Sequence, residues 1–362
     1  MERVDVVVVG GGAAGLSAAW GAAAGGVRAI VIEETELPRP AQGLYALRKR
    51  DFTDLGLEIS ASERVHRLMR VNDHPEVELD WNLAIYVVRG QTIHHQLYTR
   101  ARGAGAEIRD GATAVGAELD QEGWVVRIAG GEPVRAPVLI IADGARSSML
   151  TAIGLADAQR LSRQGAEVVS ALCATWDLPP SEASKHTLFR AHESRGPLGR
   201  AELLPGKDRV TLAVGPVWHG VANRDDEWPA NALGRGTIAR AARLFDLPAL
   251  PRAIEVEEWR LDALPSPPVF DGGMVIGGAA GHRPHRPLSS HGALVRGGKL
   301  AGRAAAQAVL SSSWRAEELA GHLGEAHRAL VAEIEAEVAY EAHGLRRPRG
   351  QPESFTLSPA RA

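Results

Sequence analysis

Apolar residues along this chain first gather into unbroken runs. Val4-Asp5-Val6-Val7-Val8-Val9 predicts a strand, Gly10-Gly11-Gly12-Ala13-Ala14-Gly15 a tight turn into an alanine-rich helix, and a second apolar run ends at Glu33. Residues 3–35 are therefore read as a βαβ unit. Residues 36–58, with Pro38, Arg39, Pro40 and Gly43, are too irregular for one helix. Further on the rhythm changes: Val65–Val71 and Val77–Trp81 mix apolar and polar residues in near alternation, as half-exposed strands do. Ala84–Val88 predicts another strand, and 91–103 a helix closed by Gly103 and Gly105. Short strands at Thr113–Leu119 and Gly123–Ile128 lead to the apolar strand Val138–Ala142.

The middle of the chain, about 160–270, reads differently. Strand-like segments at Val168–Trp176, Arg200–Leu204 and Val210–Val214, with one helix at about 232–245, predict an antiparallel sheet with little helix. The first architecture returns at Met274–Gly277, followed by a helix over about 291–310. This gives a dinucleotide-binding α/β domain over 1–160, with a small β excursion at about 60–88, and a β-rich substrate domain over 161–270. The second part of the first domain follows at 271–312, then a polar, alanine-rich helix at 313–343. The tail 344–362, rich in Arg, Pro, Ser and Gly, is expected to be mobile.

Composition narrows the class. The chain has 362 residues, 45% hydrophobic and 23% charged, which suits two joined domains of an ordinary globular enzyme. Its net charge of −3 supplies no basic field, so nucleic acid is not the expected partner. The longest apolar runs, such as 136–142, are too short to span a bilayer. No basic-plus-apolar leader precedes the glycines, so a cytoplasmic chain starting at Met1 is expected. Cys173 is the single cysteine, which leaves no internal disulfide and no cysteine cage for zinc or an iron–sulfur cluster. Redox chemistry must then come from a bound cofactor.

The first glycines point to that cofactor. Gly10 allows the turn, Gly12 lets the backbone approach a pyrophosphate at Ala13 and Ala14, and Gly15 lets the helix pack on the sheet. Glu33, or its neighbour Glu34, stands where an acid binds a ribose hydroxyl. The phosphates would lie at the helix N-terminus, where backbone N–H groups and the helix dipole favour negative charge.

Three further segments turn a dinucleotide reading into a flavin reading. Ile140-Ile141-Ala142-Asp143-Gly144-Ala145-Arg146-Ser147-Ser148 resembles the segment beside the pyrophosphate in glutathione-reductase-type flavoproteins with a hydroxylase-like topology. Gly272-Gly273-Met274-Val275-Ile276-Gly277-Gly278-Ala279-Ala280-Gly281 resembles their second FAD fingerprint, a strand ending in Gly-Asp-Ala-Ala. Here Gly278 replaces the aspartate that would hold the ribityl chain, a loss on the order of 1.5–3 kcal/mol of FAD binding. Pro287-Leu288-Ser289-Ser290-His291-Gly292 resembles the Pro-Leu-Ser-Ser-Gln-Gly loop of relatives of the flavin-dependent tryptophan halogenases, including flavoproteins that mature tryptophylquinone cofactors. In that group the loop wraps the isoalloxazine and the next helix points its amides at the ring. The stretch before it is longer here and carries Arg283, His285 and Arg286 where an acid is expected.

Taken as a set, these segments identify the chain as similar to the aromatic hydroxylase, tryptophan halogenase and geranylgeranyl reductase superfamily. The resemblance implies a doubly wound FAD domain with an inserted β-rich substrate domain. Its cofactor residues would be Gly10, Gly12, Ala13, Ala14, Gly15, Glu33, Glu34, Arg39, Gln91, Asp143, Gly144, Gly277, Gly278, Ala279, Pro287, Ser289, Ser290 and Gly292. Arg39 equally suits a surface role. Gln91 matches a glutamine near the flavin in aromatic hydroxylases, and His94 and His95 beside it are read as surface residues. Halogenases carry Trp-x-Trp-x-Ile-Pro, and geranylgeranyl reductases Tyr-x-Trp-x-Phe-Pro. Arg200-Ala201-Glu202-Leu203-Leu204-Pro205 lacks both aromatics, which argues against a halogenase and against a lipid reductase that needs an apolar trough.

The implied activity is FAD-dependent monooxygenation, through a flavin hydroperoxide, of an electron-rich indole- or phenol-like substrate that is free or peptide- or protein-bound. Electrons would come from NAD(P)H or a partner flavin reductase, since no second glycine fingerprint offers a nicotinamide domain. His291 is a candidate proton donor or acceptor. Arg200 and Glu202 are candidates for orienting a polar substrate, or else an exposed strand pair. His282, His285 and His291 lack an acid or cysteine beside them, so no metal is assigned. Two alternatives stay open: a flavin-dependent reductase, and a binding protein that kept the fold without working flavin.

Overall fold

The structure, a computed structural model, describes residues 1–40, 43–58, 63–65, 68–72, 77–79, 85–155, 168–183, 189–193, 200–218, 232–248, 251–260, 268–281 and 291–345. At its centre is a six-stranded sheet in the order Val269–Phe270, Gly273–Val275, Val138–Ile141, Val6–Val9, Ala29–Ile32 and Glu107–Arg109. All pairs are parallel except the first. Unbroken valine and isoleucine runs form these strands because both faces are covered. Val6, Val8, Val31 and Ile140 pack under the helices, whereas Val7, Val9, Ile30, Ile32 and Ile141 pack against a second layer with Trp124 and Val126. That layer is a four-stranded sheet, Glu2–Arg3, Val134–Ala136, Gly123–Ile128 and Ala114–Asp120.

The helices are α1 (Ala13–Ala24), α2 (Lys49–Leu55), α3 (Gly90–Gly103), α4 (Ser148–Ala152), α5 (Pro180–Ala183), α6 (Ala232–Leu244), α7 (His291–Leu310) and α8 (Ala316–Leu345). Among the described residues no helix is long and apolar enough to cross a membrane. Helix α7 lies directly on α1: an added Cβ at Gly298 or Gly302 would collide with the Ala14 or Ala18 carbonyl. Ser17 Oγ also donates to the Val295 carbonyl at 2.7 Å. This contact fixes the N-terminus of α7 relative to that of α1. Helix α8 continues through Leu345, past the expected end at 343, with non-helical backbone at Gly324. The rest of the expected tail lies outside the described residues.

A seven-stranded sheet runs in the order Ala253–Arg260, Val168–Asp177, Arg209–Trp218, Arg200–Pro205, Phe189–Glu193, Leu68–Asn72 and Val77–Leu79. The excursion at about 60–88 is thus divided: Leu68–Asn72 and Val77–Leu79 join this sheet, while Glu63–Val65 and Ile85–Arg89 form a small sheet with Leu44–Arg48. The large sheet has two distinct faces. Leu172, Ala174, Trp176, Leu203, Leu212 and Val214 pack on Ile238 and Ala242 of α6 and on Phe245 just after it. Their alternates Cys173, Leu204 and Ala213 pack on Leu44, Ala46 and Val87, and so face the small sheet.

Candidate functional site

Three turns meet at the carboxyl ends of adjacent parallel strands, where open α/β sheets bind ligands. In the first, Gly10 has φ +101 and passes so close to the Ala142 backbone that no side chain fits. Gly15 abuts the Gly10 carbonyl oxygen, which brings α1 onto the strand. Gly12 is different: its backbone is extended, and an added Cβ would meet nothing within 4 Å. It precedes α1 without a side-chain cap, and no acid stands in the first turn. The amides at Ala13 and Ala14 therefore open onto free space that suits an anion. Gly144, at φ +89 in the second turn, also borders open space. Gly277 and Gly278 form the third, with Gly278 facing the Ala145 amide and Ala279 buried behind it. The residues present fit a dinucleotide pyrophosphate.

Asp143 serves this geometry from inside the fold. Its Oδ2 accepts the Met149 N–H at 3.0 Å, and Ser147 Oγ accepts that of Leu150 at 3.1 Å, so both cap α4. Burial pushes the Asp143 carboxyl up, against hydrogen bonds from Ser147 and Met149.

Glu33 closes the other end of the cradle and is 2% exposed, whereas Glu34 points to solvent. The Glu33 carboxylate accepts the Gly11 N–H at 2.5 Å, the Thr35 N–H at 3.0 Å, the Thr35 hydroxyl at 2.6 Å and Arg39 Nη2 at 2.7 Å. Burial alone would raise this carboxyl, but the Thr35 and Gly11 hydrogen bonds and the Arg39 charge outweigh it and hold it below its usual range. Arg39 is thus a partner of the Glu33 carboxylate.

A cluster of rings joins the strand Leu44–Arg48 to α3 and α7. Tyr45, from Leu44–Arg48, stacks on His291 with ring centroids 3.3 Å apart, and meets His94 edge-on at 6.3 Å. His94 corrects the surface reading: it is 6% exposed. Ile93, His94, Leu97 and Ala101 form the buried stripe of α3, a helical spacing that is legible in the sequence. His95 and Gln91 are exposed. Tyr45 carries no sequence motif, and only its place on a strand beside α7 reveals it.

His291 and Gly292 open α7, and a Cβ at Gly292 would strike the Asp51 carboxylate. Asp51 accepts the Arg48 N–H at 2.7 Å and lies 2.9 Å from Arg296 Nε, in ion-pair contact without hydrogen-bond alignment. Arg296 also binds Glu333 of α8 through both guanidinium nitrogens, at 2.9 and 3.1 Å. Pro287, Ser289 and Ser290 lie outside the described residues, as do His282, Arg283, His285 and Arg286.

The large sheet adds a polar element. Glu202 is 1% exposed, which excludes the exposed-pair reading for it. It alternates with Leu203 and shares the phase of Leu204, so it lies on the face turned to the small sheet. Across the strands Glu202 is in register with Ala213, Ala213 with Cys173, and Cys173 with Glu255. Glu255 accepts the Gly43 N–H at 3.1 Å, tying this face to the cofactor half. Arg200 lies two residues from Glu202, in register with Glu193 and Gly215.

Comparison with known proteins gives the family of this domain. A model of the FAD binding domain matches residues 3–293. The chain belongs to the FAD binding domain family. As a member it carries a FAD-binding domain. It is 36% identical over 163 residues to rifampicin monooxygenase of Streptomyces venezuelae, a match covering 42% of this chain and 34% of that protein. It therefore spans about a third of that relative's length. It is 30% identical over 327 residues to digeranylgeranylglycerophospholipid reductase 2 of Methanopyrus kandleri, covering 84% of this chain and 77% of that one. In fold this FAD-binding-domain protein resembles a geranylgeranyl bacteriochlorophyll reductase-like protein of Thermoplasma acidophilum, with a TM-score of 0.76, 19% identity, and coverage of 94% and 87% of the two chains.

Proposed function

We propose that this family member is a FAD-dependent monooxygenase acting on a polar, electron-rich aromatic substrate. The observation that carries the reading is Glu202, a buried carboxylate on the sheet face turned toward the cofactor half. An isoprenoid chain there would set hydrocarbon against a buried polar side chain, which gains less than packing on an apolar one. A phenol hydroxyl or ring N–H can instead donate to it, and a carboxylate offers about four acceptor sites for substrate and protein together.

In this reading the Gly12 turn and the start of α1 hold the pyrophosphate, Glu33 holds the ribose, and the Gly144 and Gly278 turns flank the chain leading to the ring. FAD supplies the two-electron chemistry and, once reduced, the reaction with oxygen. His291, held flat by Tyr45, holds or passes a proton at its imidazole. The large sheet closes over the site from the Leu204–Ala213 side and excludes water. Electrons arrive from NAD(P)H docking transiently or from a partner flavin reductase.

A second reading, a flavin-dependent reductase, is favoured by the long alignment with the Methanopyrus reductase. Oxygen isotope separates the two. Photoreduced holoprotein mixed with ¹⁸O₂ and a panel of phenols and indoles should give a product carrying the label, and Glu202→Leu should lower its yield while FAD stays bound. Reoxidation of the flavin by an isoprenoid alkene without oxygen would replace the proposal with the second reading.

A further inference from the structure

His94 is a buried titratable side chain that the proposed chemistry leaves unused. It lies one turn into α3, between the Tyr45 ring and the charges of Glu33 and Arg39. Its Nδ1 is fully buried and meets no hydrogen-bond partner among the described residues, and Arg39 Nε is in the same condition. Buried polar atoms in native folds are almost always paired, so two such atoms beside one ribose-site acid call for an account. Glu33 does not provide it: its oxygens pair with Gly11, Thr35 and Arg39 Nη2, and with neither of these two atoms. Tyr45 does not either, since it meets His94 ring edge to ring face.

The chemistry of the two atoms defines what is missing. Arg39 Nε can only donate. His94 is neutral at physiological pH, because burial and the Arg39 charge hold it down at about 4, so it presents one N–H and one acceptor. With Nδ1 protonated, both atoms seek an oxygen acceptor beside Glu33 and the Tyr45 ring. The hydroxyl and phosphate oxygens of a dinucleotide are such acceptors.

We propose that His94 is a cofactor-binding residue, whose Nδ1 donates to a sugar or phosphate oxygen of FAD and is completed only when FAD is bound. The inference rests on the FAD reading of the cradle and extends it to a side chain carried by no dinucleotide motif.

The test is FAD binding to the full-length protein stripped of flavin, followed by quenching of flavin fluorescence below the melting temperature, for wild type, His94→Leu and His94→Asn. We expect His94→Leu to raise the FAD Kd about tenfold. The flavin-free melting temperature should hold or rise, because an unpaired buried imidazole has been removed. His94→Asn, which keeps a neutral donor, should recover part of the affinity. An unchanged Kd in both variants would overturn the proposal and leave His94 as packing, with the FAD reading intact. Failure of wild type to bind FAD at all would overturn both.

Discussion

The Tyr45 ring lies almost flat on the His291 imidazole, with centroids 3.3 Å apart and planes 12° from parallel. One ring belongs to the strand Leu44–Arg48 and the other is the first residue of α7, so the stack pins the helix that would face the flavin. Replacing Tyr45 by Ala should lower stability by about 3 kcal/mol in urea denaturation, from lost packing and a residual cavity. Tyr45→Phe keeps the stack and should cost under about 1.5 kcal/mol. Equal losses in the two variants would place the effect in the hydroxyl and not in the stack.

The two glycines of the first turn should separate folding from binding. At Gly12 an added Cβ meets open space and the backbone is already extended, so Gly12→Ala should leave the flavin-free melting temperature within a degree or two, on the order of a neutral surface change. Gly12→Asp should fold but lose FAD, because a carboxylate would point into the phosphate space. Gly15→Ala should lower the flavin-free melting temperature itself, since its Cβ would run into the Gly10 carbonyl oxygen. Circular dichroism melts with and without FAD distinguish these outcomes.

Gly278 replaces the acid expected at the ribityl chain, and its Cβ direction faces the Ala145 amide at 3.2 Å. Gly278→Asp needs Ala145 to give by a few tenths of an ångström, and should then restore a charged hydrogen bond. A gain of about 1.5 kcal/mol, roughly tenfold in FAD Kd, is the expected result by fluorescence titration. No gain would mean that the ribityl chain runs elsewhere than past this turn.

His94 should also write itself into the pH dependence of stability. In the unfolded chain it takes a proton at its ordinary value of 6.5, but in the fold only at about 4. Between these values the unfolded state binds more protons, so stability falls as pH falls through 6.5 and the loss is complete near 4. Flavin-free wild type should lose up to about 3 kcal/mol relative to His94→Leu over this window, with a constant difference above it. A difference that stays flat from pH 7 to 4 would show that His94 is open to solvent.

Much of the cofactor half is legible in the sequence, for a local reason. The valine run, the glycines at 10, 12 and 15 and the acid at 33 are close along the chain, and strand period, turn sterics and helix packing tie each to its element. The helix at 91–103 and the one at 291–310 are likewise readable from apolar spacing and glycine stops. The burial of His94 is readable too, because it falls on the stripe of Ile93 and Leu97, but a polar residue on such a stripe is easily assigned to the surface.

Contacts between distant segments settle the rest. That Leu68–Asn72 pairs with Phe189–Glu193 is set by the edge each sheet offers, which no local pattern encodes. That Glu202 is buried follows from the small sheet covering one face of the large one, since alternation along Arg200–Pro205 shows two faces without saying which is covered. Tyr45 meets His291 across 246 residues of chain only because glycines in α7 let it lie directly on α1. Local sequence suffices for a dinucleotide cradle, because phosphate recognition uses backbone geometry encoded within one βαβ unit. The walls of the site form only when the sheets and helices pack, because side chains reach one another there through the hydrophobic burial of surfaces far apart in sequence.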